Sequence, residues 1–198
     1  MFIATDSTGE FLKWCQDQLC SFYNTSSSQV MISPWNQDNT VDTDEVYVEL
    51  SFVRDERKPA ETTKKRLKDY CQIFEGRGPH MIPKRILVYG RPGIGKSTFT
   101  KKLAVDWSRG NKEALKRFDV LLLVKLRDVC NTPSLCSVLE KTELLSADNP
   151  AVFDQLYGYV LQNQQKVLLV LDGFDEYSAK KPSVVDQIKT VIHDKYHL

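Results

Sequence analysis

The stretch Gly90-Arg91-Pro92-Gly93-Ile94-Gly95-Lys96-Ser97 matches G-x-x-x-x-G-K-[ST] at every fixed position. Its flanks matter as much. Ile86-Leu87-Val88-Tyr89 before it is a short apolar run, which reads as a buried strand. Lys96 to Trp107 after it reads as a helix, with Phe99, Leu103 and Trp107 at i, i+4 and i+8 on one face. A strand, a glycine-rich turn and a helix in that order make a phosphate-binding loop. Phosphate needs several donors at close range, and backbone N–H groups supply them only where the chain wraps tightly. Gly90, Gly93 and Gly95 allow that wrapping, because they lack a Cβ and tolerate positive φ. The helix start adds unpaired N–H groups and the positive end of its dipole. Lys96 brings a mobile charge to β- and γ-phosphates, and the Ser97 hydroxyl is a hard oxygen suited to Mg²⁺. Thr98 is placed to reach an α-phosphate. The expected nucleotide-binding set is therefore Gly90, Arg91, Pro92, Gly93, Ile94, Gly95, Lys96, Ser97 and Thr98.

A second motif gives the loop a partner. Val167-Leu168-Leu169-Val170-Leu171 reads as a buried strand, and Asp172-Gly173-Phe174-Asp175-Glu176 follows it. An acidic turn after a strand is common by itself. Beside a phosphate loop it is specific, because the carboxyl ends of parallel strands face the ligand crevice. Asp172 is expected to hold Mg²⁺, directly or through water, together with Ser97. Asp175 and Glu176 are the candidates for orienting or deprotonating an attacking water, and either can point inward depending on the turn. One more buried strand, Val120–Val124, lies between the two motifs. That suits sheets in which an extra strand separates the phosphate-loop strand from the acidic one.

Working outward, the second part of the chain alternates β-α-β-α-α-β-α. Pro133–Leu145 and Ala151–Gln162 read as helices, and Val184, Ile188, Val191 and Ile192 share one face of a last helix. Continuous apolar strands alternating with helices imply an α/β fold whose parallel sheet is covered on both faces. Residues 81–198 thus read as a P-loop NTPase with an incomplete sheet, and residues 1–80 as a smaller mixed segment preceding it. In that segment a helix runs from Thr8 to Phe22, with Ser7 and Glu10 at capping-box spacing and Phe11, Cys15, Leu19 and Phe22 on one face. It is expected to pack on the NTPase part. Asn24 to Ser28 reads as a polar turn, and Pro34-Trp35 begins an extended stretch. Val46 to Val53 alternates like a half-buried strand, a short helix being the alternative. Arg54 to Lys68 reads as a charged connector passing into a helix over Thr62–Phe74.

The chain has 198 residues, 41% hydrophobic and 27% charged, which suits a globular protein and excludes disordered, collagen-like and disulfide-scaffold classes. Lys+Arg is 27 and Asp+Glu 26, so a net charge of +1 creates no global field for nucleic acid or an anionic membrane. No apolar run approaches the ~20 residues that span a bilayer, and the N-terminus lacks the pattern of a signal peptide. Five scattered cysteines without Cys-x-x-Cys imply reduced thiols and a cytoplasmic location. His80, His193 and His197 have no metal-ligand spacing with them. Lys101-Lys102 reads as a solvated basic pair. Arg127-Asp128, ending the second strand, is either a structural ion pair or a nucleotide contact.

Together, Gly90 to Thr98, Lys101-Lys102-Leu103-Ala104-Val105-Asp106-Trp107, the strand Leu121 to Arg127, and Leu171-Asp172-Gly173-Phe174-Asp175-Glu176 resemble a NACHT domain, the signalling NTPase of NOD-like receptors. A small residue after the first acid, with a further acid two positions later, is that family's habit. The resemblance covers about Lys84 to Glu176. Val30 to Trp35 and Asp44 to Leu50 are similar, more loosely, to the segment preceding the NACHT in some invertebrate receptors. The family implies ATP or GTP and Mg²⁺ as cofactors, slow hydrolysis, and a nucleotide-held switch that self-oligomerises and engages a protein adaptor on stimulation. Only 22 residues (198 − 176) follow Glu176, so the later parts of such a receptor are expected to be missing from this chain. The competing readings are a turnover ATPase or kinase, and a scaffold that holds nucleotide without hydrolysing it.

Overall fold

The computed structural model describes residues 7–33, 36–57, 62–76, 83–129, 132, 135–142, 144–147 and 149–173. Helix α1 runs over Ser7–Phe22, as the spacing of its apolar residues requires. Cys15 and Leu19 are fully buried, and Phe11, Leu12 and Phe22 pack partly against the same core. The helix widens into a π-helical turn, Tyr23–Ser27, where the polar residues alone imply a simple turn. Tyr23 accounts for the difference. Its ring is fully buried, and its hydroxyl donates to the Leu121 carbonyl at 2.9 Å while accepting the Leu123 N–H at 3.0 Å. The Thr25 hydroxyl donates to the Ser21 carbonyl at 2.9 Å and the Ser28 hydroxyl to that of Asn24 at 2.5 Å. Short hydroxyl side chains thus satisfy the carbonyls at the loosened helix end.

Two small antiparallel ribbons follow. β1 (Gln29–Ser33) pairs with β2 (Asn36–Asp42), with Gln29 opposite Asp42 and Ser33 opposite Asn36. Pro34 and Trp35, where the sequence starts an extended stretch, lie outside the described residues. A single helical turn, α2 (Thr43–Val46), is capped by the Asp42 carboxylate, which accepts the Asp44 N–H at 2.8 Å. The alternating stretch after it is no strand until Val53. Val48 is 79% exposed, whereas Tyr47, Leu50 and Phe52 pack partly against the core. β3 (Val53–Arg57) and β4 (Thr62–Arg66) then pair from Val53 opposite Arg66 to Arg57 opposite Thr62. The sequence reads this stretch as a connector and a helix. It misleads because the ribbon is dense in charge and has no apolar period. Helical structure is confined to a 3₁₀ turn, Tyr70–Phe74, capped by Asp69, with Tyr70 and Phe74 buried.

Helix α3 spans Lys96–Ser108 and buries Phe99, Leu103, Ala104 and Val105. It ends at Gly110, where φ is +65° and the Asn111 N–H reaches back to the Asp106 carbonyl at 3.0 Å, a left-handed helix stop. β5 (Val120–Lys125), α4 (Leu135–Lys141), α5 (Ala151–Gln162) and β6 (Val167–Asp172) follow. α5 has its expected bounds; α4 is shorter than the stretch read as helical. β5 and β6 are parallel, in register from Val120 opposite Val167 to Lys125 opposite Asp172. The two intervening helices form the crossover that parallel strands need. Val120 to Val124 are buried, but β6 is half-buried throughout, not the fully buried strand its composition implies.

The apolar run before the phosphate loop departs further from expectation. Ile86 to Tyr89 takes no ladder position among the described residues, with Leu87 77% and Tyr89 70% exposed. β6 pairs with β5, and no strand is paired to this run among the described residues. A strand needs a partner before its apolar residues are covered, and the sheet order places none beside this run among the described residues. The last helix expected near Val184 to Ile192 lies outside the described residues. One buried cluster joins Cys15, Leu19, Tyr23, Tyr70 and Phe74 to α3, β5, α4 and α5. α1 therefore packs on the α/β part, as its amphipathic face requires.

Candidate functional site

The loop before α3 has the backbone that its glycines allow. Gly93 has φ +74° and Gly95, the residue capping α3, φ +99°. The Ile94 N–H donates to the Arg91 carbonyl at 3.3 Å, and the Phe99 N–H to that of Gly95 at 2.9 Å. Nothing lies within 4 Å of where a Cβ on Gly93 would sit, so the demand for glycine there is conformational and the space above the loop is open. Gly90, Arg91, Pro92, Gly93 and Ile94 are exposed, as is Ser97, while Gly95, Lys96 and Thr98 are half-buried. The Lys96 ammonium donates to the carbonyls of Gly90 at 3.0 Å and Arg91 at 3.4 Å, curling over the loop it follows.

Ser97 and Asp172 come from motifs 75 residues apart, yet the Ser97 hydroxyl donates to the Asp172 Oδ1 at 3.0 Å. One sits in the first turn of α3, the other ends β6. Gly173 follows with φ +81°, turning the chain away from the strand. A hydroxyl and a carboxylate side by side next to an open loop of backbone donors are the hard oxygens that a divalent cation beside a phosphate requires. The donor set therefore fits Mg²⁺, with Ser97 and Asp172 as the residues that would hold it. Asp175 and Glu176 lie outside the described residues.

Beyond Ser97 the site opens into a cleft of about 200 Å³ between α3 and the ends of β5 and β6. Lys101, Lys125 and Arg127 line it together with Asp172. Burial pushes the Lys101 ammonium below its usual pKa, and repulsion from Lys125 and Arg127 adds to this against the attraction of Asp172. Lys101 is thus not the solvated lysine its sequence neighbourhood implies. It lies four residues from Ser97 on the same helical face, a spacing that could have found it. Lys125 ends an apolar strand, a position that faces the crevice in parallel sheets. Arg127 pairs with Asp128 at 3.4 Å, both largely exposed, and also lines the cleft.

The segment before the loop braces α3. Asp106 is buried, 1% exposed, and accepts from the Lys102 ammonium and from the Tyr70 hydroxyl, each at 2.5 Å. Lys102 also meets Asp44 at 2.9 Å, and Asp44 meets Arg109 at 2.5 Å. The solvated reading of Lys102 therefore fails as well: a buried carboxylate needs a charged partner. Both terminal methyls of Leu50 lie 3.8 Å from where a Cβ on Gly95 would sit, and the Phe52 and Phe99 rings are 4.7 Å apart. Apart from the i,i+4 pair Lys102–Asp106, no local pattern marks these contacts, because each joins residues far apart in sequence.

The family model for the NACHT domain matches residues 84–196, more than half of the chain and both halves of the site just described. The chain belongs to the NACHT domain family. Its α/β fold with a parallel strand pair is that of P-loop NTPases, and nucleotide binding is the general property the family brings. Among similar proteins, human NACHT, LRR and PYD domains-containing protein 2 is 30% identical over 123 residues, 60% of this chain and 11% of that protein. Mouse Protein NLRC5 is 32% identical over 100 residues, 49% of this chain and 5% of that protein. Human NACHT, LRR and PYD domains-containing protein 10 is 31% identical over 102 residues, 51% of this chain and 14% of that protein. This NACHT chain therefore spans roughly a tenth of the length of the relatives it matches. No helix among the described residues is long and apolar enough to cross a membrane.

Proposed function

We propose that this NACHT chain binds ATP or GTP with Mg²⁺ at the loop Gly90–Thr98, hydrolyses it slowly, and uses the bound state as a signalling switch of the innate-immune receptor type. The observation that carries the reading is the 3.0 Å contact between the Ser97 hydroxyl and the Asp172 carboxylate. It joins the two motifs in one place with oxygens of the right hardness. Mg²⁺, when bound, would neutralise phosphate charge there. Ser97 and Asp172 would hold the cation. The backbone N–H groups from Gly93 to Thr98 would receive phosphate oxygens, with Lys96 leaving its two carbonyl partners to meet them. Asp175 or Glu176 would accept the proton of an attacking water. The switch reading extends to a cytoplasmic protein that self-associates and recruits a protein adaptor.

Two substitutions separate binding from turnover. Asp172→Asn removes a charge beside the cation and is expected to weaken binding in Mg²⁺ while leaving binding in its absence unchanged. Glu176→Gln is expected to preserve affinity and slow single-turnover hydrolysis, because an amide cannot accept the proton. If Glu176→Gln and Asp175→Asn both hydrolyse at the wild-type rate, neither acid is the base and the chain only holds nucleotide.

A further inference from the structure

We propose that the ribbon β3–β4 docks on the sugar–phosphate backbone of a B-form nucleic-acid duplex, at a surface separate from the nucleotide loop. The stretch from Glu49 to Lys68 holds seven Lys and Arg and four Asp and Glu, a net +3 in a chain whose total is +1. That leaves −2 for the rest of the molecule, so a local positive field exists where the whole chain has none. The ladder sorts these cations by face. The Leu67 N–H donates to the Phe52 carbonyl at 2.8 Å, Val53 stands opposite Arg66, and Arg54 opposite Lys65. Alternate residues of a strand share a face. One face turns to the protein: Leu67 is buried, Phe52 packs against the core, and the Arg54 guanidinium donates to the Gln72 carbonyl. The other face presents Val53, Lys64 and Arg66, with Ser51 and Lys68 just past the ladder, all exposed.

Lys64, Arg66 and Lys68 thus form a row at every second residue, about 6.8 Å apart. Asp55 stands opposite Lys64 in the ladder and is one of the four carboxylates counted above. Arg66 and Lys68 also line a groove of about 520 Å³ with Ser51, where Glu49 is the one carboxylate in the lining. A regular row of exposed cations suits a regularly repeating anion, and each phosphate it neutralises releases a condensed counterion, which supplies the affinity. Shape narrows the partner. Five paired residues on each strand make the ribbon about 17 Å long, and a two-stranded ribbon fits the major groove of a B-form duplex, about 12 Å wide. A membrane is a broad anionic plane that also meets the net −2 remainder of the molecule, whereas a duplex is narrow enough to meet the ribbon alone. No aromatic side chain stands among the described residues of the outward face, so no base is stacked there and the docking reads charge and shape, not sequence.

The test is fluorescence anisotropy of a labelled DNA duplex of mixed sequence with hydroxyl ends, titrated at several salt concentrations, with and without Mg²⁺-ATP. Wild type is expected to bind at low salt, with log K falling against log salt at a slope of about −2 to −3, the two to three phosphates that the row can meet. The triple variant Lys64→Gln, Arg66→Gln, Lys68→Gln is expected to lose at least about tenfold at low salt and to flatten that slope by about 2. Lys65→Gln, on the opposite face, is expected to change affinity less than about twofold. Ligand-free thermal midpoints show that each variant folds. Lys68→Gln alone, outside the ladder, decides the matter if the triple variant does not, with a slope flatter by about 1. Mg²⁺-ATP is expected to leave duplex affinity unchanged; displacement by it would place the duplex at the nucleotide loop and overturn the proposal while sparing the nucleotide reading. No wild-type binding at low salt, or equal losses in Lys65→Gln and the triple variant, would overturn it as well. Vesicles rich in phosphatidylserine that bind as tightly through the same three residues would assign the face to a membrane and overturn it too.

Discussion

Tyr23 satisfies two backbone groups with one hydroxyl. It donates to the Leu121 carbonyl and accepts the Leu123 N–H, both on β5 and 98 and 100 residues away. These groups lie on the strand that pairs with β6, and a side chain takes the place there of another strand's backbone. Tyr23→Phe keeps the ring and strands both groups in a buried site. It is expected to destabilise the fold by about 1–3 kcal/mol, the cost of an unpaired buried polar group. Urea unfolding of the two proteins checks this, and equal midpoints would mean that water or a neighbour replaces the hydroxyl. The sequence could not reveal this role, because its partner has no local signal. The glycines of the phosphate loop are the opposite case: Gly93 and Gly95 adopt the positive φ that the motif demands, and the demand is written in eight consecutive residues.

Between elements, charge does much of the positioning. Asp44 follows β2 and holds Lys102 and Arg109, which stand at the middle and end of α3. The hydrogen bond from Lys102 pulls the Asp44 pKa down, burial opposes this, and the charges of Lys102 and Arg109 reinforce it. A carboxylate with a lowered folded-state pKa stabilises the fold above its unfolded pKa, near 4. That contribution fades as pH falls through the lower folded value. Asp44→Asn is therefore expected to be less stable than wild type at neutral pH, with the two stability curves converging below about pH 4. A difference that stays constant from pH 7 to pH 3 would show that the carboxylate's charge is not what matters. The helices α1, α3 and α5 were legible because each buries a continuous face. The ribbons β1–β2 and β3–β4 were not, since their pairing depends on backbone partners and a charged surface gives no period to read.

In the whole molecule, the α/β class and the convergence of the two motifs follow from their order along the chain. The loop that opens α3 and the acid that ends β6 bring Ser97 and Asp172 within 3.0 Å, with β6 parallel to β5. The exposed run Ile86 to Tyr89 and the half-buried β6 were not legible. Burial depends on which strands neighbour one another, and apolar composition says only that a neighbour is needed. The cleft cations Lys101, Lys125 and Arg127 escaped because they are ordinary lysines and an arginine until the fold gathers them. The proposal that unites these features is a nucleotide at the loop. The direct measurement is affinity for Mg²⁺-ATP and Mg²⁺-GTP in wild type and Lys96→Ala, with the thermal midpoint of each protein recorded without ligand. Wild type should bind at least one of the two, and ligand should raise its midpoint. Lys96→Ala should keep the ligand-free midpoint and lose at least about tenfold in affinity, since its ammonium rests on the Gly90 and Arg91 carbonyls at the surface loop and is expected to meet the most charged part of the ligand. Wild-type affinity in Lys96→Ala, or no binding by either protein, would contradict the account.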